Sequence, residues 1–309
     1  MARLCGATSV QTCSRSFPLK EIQMPKTWLI TGSASGIGLS TAELVLARGE
    51  NLVATARSVG RLSHLVQRYG EQVNLVELDV TDMGAARTAV EAAMGRFGRL
   101  DVLLNNAGYA HLSPFEQILE DDFKAEIDTN FYGVVNLIRA ALPVMRQQKS
   151  GHIINISSSS ARFGSPGSTA YSAAKWAVSG FTASLAKEVK PFGVTAIAVE
   201  PGSIRTNWTR IARGHVPPLL PEYEPTIGAI MKMTQDYAGT EPGDPDKVAA
   251  VIFDLSRQDD LPEQLILGSD ALARIAQSDA VRSAVALRWN EVSRSTDIEE
   301  HIIPLRLLE

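Results

Sequence analysis

Tyr171 and Lys175 stand four residues apart in a stretch where Ala174, Val178, Phe181 and Leu185 recur at helical spacing. Four residues are about one helical turn, so phenol and amine share one side of a helix. A free tyrosine titrates near pKa 10 and is a weak base at neutral pH. An ammonium beside it favours phenolate, and such a phenol can give a proton to a carbonyl oxygen or take one from an alcohol. The same spacing also occurs in ordinary helix-surface pairs, so its company decides. Ser158 closes the run Ile153-Ile154-Asn155-Ile156-Ser157-Ser158. Its hydroxyl falls beyond a strand's carboxyl end, where open α/β sheets bind ligands. Ser157 to Ser160 are four consecutive serines, which leaves Ser157 as the alternative register.

A second constellation lies near the start. The apolar run 27–31 leads into Gly32-Ser-Ala-Ser35-Gly36-Ile37-Gly38, followed by a helical pattern. Backbone N–H groups and the dipole at such a helix start favour a diphosphate. Gly32 allows a tight turn, Gly36 a close ligand approach and Gly38 close helix packing. Glycine turns of this kind also occur without a ligand.

The elements that must position these groups alternate. Apolar runs at 27–31, 52–56, 74–78, 102–105, 152–157 and 194–199 read as strands, and Gln264–Leu267 could add a seventh. Amphipathic segments such as 37–48 and 85–96 separate them. This rhythm predicts repeated βαβ units: a single-domain, Rossmann-type, doubly wound parallel α/β sheet with helices on both faces. Segment 203–246 breaks the rhythm with Pro217, Pro218, Pro221, Pro225, Pro242 and Pro245, plus Gly214, Gly228, Gly239 and Gly243. It reads as a mobile loop or a loosely helical lid over a substrate. The expected organisation is a disordered extension over 1–25, a dinucleotide-binding catalytic domain over 26–268 and a helical tail over 269–309. Apolar periodicity in the tail covers 271–276 and 281–289.

Bulk properties narrow the function. The 309 residues carry a net charge of -4, which gives no electrostatic support to nucleic-acid or acidic-membrane binding. No run approaches the roughly 18 apolar residues of a membrane span. The two cysteines, Cys5 and Cys13, precede the first strand, and the five histidines are scattered, so no metal site is expected. Cysteine usage suits a reducing, cytoplasmic setting. Arg3, Arg15 and Lys20 precede any acid, which keeps organelle targeting by residues 1–23 as an alternative, and Met24 as an alternative start.

Taken in order, Thr31-Gly32-x-x-x-Gly36-x-Gly38, Asp79-Val80, Asn105-Asn106-Ala107-Gly108, Tyr171-x-x-x-Lys175 and Pro201-Gly202 with Thr206 make the chain resemble the short-chain dehydrogenase/reductase family over about residues 26–206. The resemblance implies cofactor contacts from Gly32, Ser35, Gly36, Ile37 and Gly38, and adenine contacts from Asp79 and Val80. It adds Asn106, Ala107 and Gly108, with Pro201, Gly202, Ile204 and Thr206 closing over nicotinamide. It makes Tyr171 the acid/base and has Ser158 hydrogen-bond the substrate oxygen. Lys175 would hold the nicotinamide ribose and lower the phenol pKa. Asn130, in Asp128-Thr129-Asn130-Phe131, would kink a helix and anchor a water relay. The second strand ends Val53-Ala54-Thr55-Ala56-Arg57. Ala56 stands where the resemblance expects an acid that repels a 2′-phosphate, and Arg57 can bind that phosphate. NADP(H) is therefore expected over NAD(H), with Arg61 either a second contact or a helix-surface residue.

The expected activity is hydride transfer between NADP(H) and an alcohol–carbonyl pair. An epimerase, a dehydratase or a non-catalytic nucleotide sensor are the alternatives. Trp208, Ile211, Leu219, Leu220, Tyr223, Ile230 and Met231 would line an apolar pocket for a hydrophobic or ring-containing substrate. Val199-Glu200-Pro201-Gly202 and Gly243-Asp244-Pro245 are similar in style to steroid-dehydrogenase-like members. His111 and His215 could reach the substrate, although loop histidines are commonly just solvated. Family members pair through helices like 170–189, which implies a homo-oligomer.

Overall fold

Trp28, Leu29 and Ile30 are all wholly buried, so the first strand has apolar cover on both faces, as a central parallel strand requires. The computed structural model describes residues 24–208 and 218–298. It forms one seven-stranded parallel sheet of β1 Thr27–Ile30, β2 Asn51–Ala56, β3 Val73–Glu77, β4 Val102–Asn105, β5 Gly151–Ile156, β6 Val194–Pro201 and β7 Gln264–Leu267. The strand order is β3-β2-β1-β4-β5-β6-β7. Trp28 and Ile30 face a layer containing α1 (Gly36–Ala47) and α8 (Pro245–Leu255). Leu29 faces the opposite layer, of α3 (Met83–Phe97), α5 (Gly133–Gln148) and α6 (Thr169–Val189). The Rossmann-type doubly wound sheet expected from the sequence is what forms. Strand order reverses between β1 and β4, which opens a crevice at their carboxyl ends.

The remaining helices are α2 (Ser63–Tyr69), α4 (Glu120–Ile127), α7 (Ala229–Tyr237), α9 (Ser269–Arg288) and α10 (Asn290–Arg294). Strand ends differ from expectation by a residue or two. β6 reaches Pro201 because β7 pairs alongside its last residues, Glu200 with Ile266 and Pro201 with Leu267. The proline-rich segment is partly helical and ends sooner than 246. Asp244 accepts from the Asp246 N–H and Pro245 opens α8, so a residue read as a breaker starts a helix. In α9, Ala271 and Ile275 are buried, but Val281, Val285 and Leu287 are exposed, as is Trp289 beyond it. A 20-residue helix runs about 30 Å; it touches the fold through Ala271 and Ile275, through Ser278 Oγ, which donates to the Arg162 carbonyl, and through Arg282 over the Trp176 ring. The expectations for 1–23, for Ile211, Gly214, His215 and Pro217, and for 299–309 fall outside the described residues. No helix among the described residues is long and apolar enough to cross a membrane.

Candidate active site

The crevice floor is pinned by side chains from both strand ends. Thr31 Oγ1 accepts from the N–H groups of Asn106 (2.9 Å) and Ala107 (3.0 Å). Asn106 Nδ2 donates back to the carbonyls of Thr31 (3.0 Å) and Gly32 (3.2 Å). Gly32 and Gly36 have φ of +68° and +56°, a region that favours glycine. A Cβ on Gly32 would lie 3.0 Å from Ala107 Cα, and one on Gly38 would strike Asn106 Nδ2 and the Gly32 carbonyl. Helix α1 starts at Gly36 with no acid in its first turn, and the Ser35 side chain caps none of its N–H groups. Those donors remain free for an anionic group, so the turn fits a diphosphate. Thr206 Cγ2 lies 3.4 Å from the Cβ position of Gly36, bringing the post-β6 loop over the turn.

Along the rim, Ala56 ends β2 buried and Arg57 follows exposed. Arg61 Nη2 donates to the Ala34 carbonyl at 3.5 Å, so this guanidinium reaches the glycine turn. Asp79 Oδ1 accepts from Thr81 N–H (2.9 Å) and Oγ1 (2.8 Å). These bonds, with a smaller contribution from the Arg57 charge, hold the carboxyl below its ordinary pKa. Val80 is buried, its carbonyl accepts from Asn136 Nδ2 at 3.1 Å, and a Cβ on Gly133 would press on its side chain.

The residues expected to do acid/base work gather beside β5. Asn105 Nδ2 donates to Asn155 Oδ1 and Asn155 Nδ2 to Thr182 Oγ1, both at 2.8 Å, which locks α6 against β4 and β5. Ser157 turns into α6, bonding the Lys175 carbonyl (3.1 Å) and Ser179 Oγ (2.8 Å). Ser179 continues to Glu200, which pairs with Arg162. Ser158 turns the other way, accepting from Ser160 N–H at 3.1 Å and hydrogen-bonding the Tyr171 hydroxyl. Of the two registers, Ser158 is the one brought to the phenol. Lys175 Nζ donates to the Ile156 carbonyl at 2.8 Å and lies 5.6 Å from the Tyr171 ring centroid.

Asn130 sits in a π-helical turn, Asp128–Tyr132, that joins α4 to α5. Its Nδ2 donates to the carbonyls of Tyr109 (2.7 Å) and Glu126 (2.9 Å). A Cβ on Gly108 would fall 2.5 Å from Asn130 Oδ1 and 3.5 Å from Lys175 Nζ. The absent side chain leaves room for both groups beside Gly108.

Burial pushes the Tyr171 pKa up to about 12, against a smaller downward pull from Ser158, while burial brings Lys175 down to about 8. Both groups are nearly excluded from water, which disfavours their charged forms, and the amine donates to the Ile156 carbonyl. At neutral pH the phenol keeps its proton.

Asp270 and Ile227 escaped the sequence reading, and His111 departs from its solvated alternative. Asp270, in the first turn of α9, accepts from Ser203 N–H at 2.8 Å, and its carboxylate fills the space a Gly202 side chain would need. An acid just after the Gly268 turn was the available signal. His111 is not a solvated loop residue: its backbone N–H donates to Glu126 Oε2 at 3.0 Å, and its side chain is only 23% exposed. In the lid, Trp208 places its ring centroid 5.3 Å from that of Tyr171. Ile227, not singled out before, is buried against Gly167, whereas Leu220 is exposed.

A crevice of this kind at the reversal point of a parallel sheet defines the Rossmann-type class. Residues 26–215 match the short chain dehydrogenase family. The chain belongs to that family. It is 42% identical over 271 residues to oxidoreductase BOA17 of Botryotinia fuckeliana, covering 87% of this chain and 98% of that one. A crystal structure of a short-chain dehydrogenase from Streptomyces avermitilis superposes with a TM-score of 0.82 at 36% identity, covering 89% of this chain and all of the other. ElxO with NADP bound gives a TM-score of 0.66 at 30% identity, over 81% of this chain and all of that one.

Proposed function

We propose that the protein is an NADP(H)-dependent oxidoreductase that interconverts an alcohol and a carbonyl, with Tyr171 as general acid/base. The observation that carries this reading is the convergence of Tyr171, Ser158, Lys175 and Asn130 beside the glycine crevice. When bound, NADP(H) supplies or accepts the hydride. Tyr171 gives its proton to the carbonyl oxygen, and Ser158 steadies that oxygen with a hydrogen bond. Lys175 holds the ribose side of the site, and Asn130 keeps the loop of Tyr109 in place. Gly32, Ser35, Gly36, Ile37 and Gly38 would hold the diphosphate; Asp79, Val80, Asn106, Ala107 and Gly108 would hold the adenosine side and the crevice floor. Pro201, Gly202, Ile204 and Thr206 would cover the nicotinamide.

Arg57 beside an uncharged Ala56 supports a 2′-phosphate, and the NADP-bound relative is consistent with it. Trp208 against Tyr171 supports an apolar or ring-containing substrate. Pairing of two copies through α6, whose Trp176 is 44% exposed, belongs to the same reading. The test is NADPH oxidation with a panel of aldehydes, ketones and quinones. Tyr171→Phe should lower kcat by about 100-fold or more while still binding NADPH. Full turnover in that variant would refute the assignment.

A further inference from the structure

Glu126 lies in the last turn of α4 with 0% exposure, an unusual place for a carboxylate that makes no close ion pair. Its Oε2 accepts from His111 N–H and lies 3.7 Å from His111 Nδ1. Its Oε1 has no partner among the described residues, and the same holds for Asn130 Oδ1 and His111 Nδ1. Buried polar atoms are nearly always satisfied, and three unsatisfied ones in one cluster are the signature of a water-binding site. The cluster lies behind the acid/base pair: Asn130 Oδ1 and Lys175 Nζ both border the space beside Gly108, and Glu126 and Lys175 feel each other's charge. His111, partly exposed, connects the cluster to solvent.

We propose that Glu126 and His111 form a proton-exchange station behind Lys175, linked to it by water held at Glu126 Oε1 and Asn130 Oδ1. The inference rests on Tyr171 being the acid/base. In each reduction Tyr171 loses one proton to the substrate oxygen, and one returns to the phenolate from the Lys175 side. The Glu126 carboxyl restores Lys175, and solvent restores the carboxylate through His111. The net intake is one proton from water, and no electrons pass through the station; oxidation runs the same path backwards. Five groups face the carboxyl: Asp122 on α4, His111 and Tyr109 from the post-β4 loop, and Lys175 and Tyr171 from α6. Burial raises Glu126 to about 7, against the His111 N–H bond and the Lys175 charge, while Asp122 adds to the rise. Both protonation states are then populated at neutral pH, as an exchange station needs.

The test is Glu126→Gln, which keeps the shape and removes the exchangeable proton. Its kcat for carbonyl reduction should fall by about tenfold or more. The neutral limb of the kcat–pH profile should flatten, the solvent deuterium isotope effect should rise, and NADPH affinity should stay unchanged. Independently of turnover, infrared titration of the free protein should show a carboxyl band that titrates near neutrality and vanishes in the variant. His111→Ala, at the more exposed end, should lose rate and recover it with added imidazole; it carries the test if the Glu126 variant does not fold. A folded Glu126→Gln with wild-type kcat, pH profile and isotope effect would overturn the station, as would absence of the infrared band. If Tyr171→Phe abolishes turnover while both variants retain it, the station alone is wrong. If Tyr171→Phe also retains turnover, the acid/base reading has failed and the station falls with it.

Discussion

Arg57→Ala tests coenzyme choice most directly. At the end of β2 the chain offers one exposed guanidinium and no acid at position 56, and the neighbouring Asp79 carboxylate is engaged by Thr81. A 2′-phosphate placed there meets one fixed positive charge that NAD(H) has no group to use. A hydrogen bond to a charged group contributes about 1.5–3 kcal/mol, and the exposure of Arg57 argues for the lower half of that range. At 1.4 kcal/mol per tenfold, the loss corresponds to roughly 10–30-fold in NADPH Kd. NADH affinity should hardly change. Coenzyme fluorescence titrations at two ionic strengths would measure this, and the gap between wild type and variant should narrow as salt screens the exposed contact. Ala56→Asp should push the same way, by placing a carboxylate against the phosphate. Equal weakening of NADPH and NADH by Arg57→Ala, or no weakening of either, would refute the charge argument.

Gly38→Ala forces a methyl into Asn106 Nδ2 and the Gly32 carbonyl. Overpacking of about 1–3 kcal/mol should weaken both coenzymes alike, in contrast to Arg57→Ala, as calorimetric titration would show. Asp270→Ala removes the acceptor of the Ser203 N–H. NADPH affinity should drop by roughly five- to tenfold, the worth of about 1–1.5 kcal/mol, while thermal unfolding changes little. His152 is pushed down to about 4, mainly by burial and then by the Lys26 charge. Its unfolded value is near 6.5, so the unfolded chain binds more protons between those limits; the stability involved is full above pH 6.5 and lost as pH falls toward 4. Glu126 tilts the other way, losing stability as pH rises from about 4.5 to 7. Melting curves at pH 4.5 and 7 should show His152→Gln less acid-sensitive than wild type, and Glu126→Gln more so.

The fold was legible because its strands are buried on both faces and read as continuous apolar runs, with helical periods between them. The glycine turn and the Tyr171–Lys175 spacing were legible for a related reason: each is a local pattern whose chemistry follows from short-range geometry. The choice between Ser157 and Ser158 was not, because it turns on which hydroxyl finds Ser179 and the Lys175 carbonyl, contacts about twenty residues away. Asp270 closes a loop 67 residues upstream and had no local sign beyond a glycine before it. The stripe over 281–289 does mark a helix, but periodicity reports a face and says nothing of what covers it, and Val281, Val285 and Leu287 are exposed.

The two displaced pKa values also set a direction. Burial is the main cause that sets the phenol, at about 12, apart from the amine, at about 8, so the phenol holds its proton and the amine gives one up more readily. On the proposed acid/base reading, a carbonyl arriving at neutral pH would meet a proton donor already in the required state. Alcohol oxidation needs the phenolate, which burial opposes by on the order of 2–3 kcal/mol. Positive charge held against the phenol must offset that cost. Reduction should therefore be flat or falling with pH through the neutral range, whereas kcat for oxidation should climb steadily toward alkaline pH. A pH-independent oxidation rate would mean that the phenol already ionises near neutrality, and that the Lys175 charge, not desolvation, governs this site.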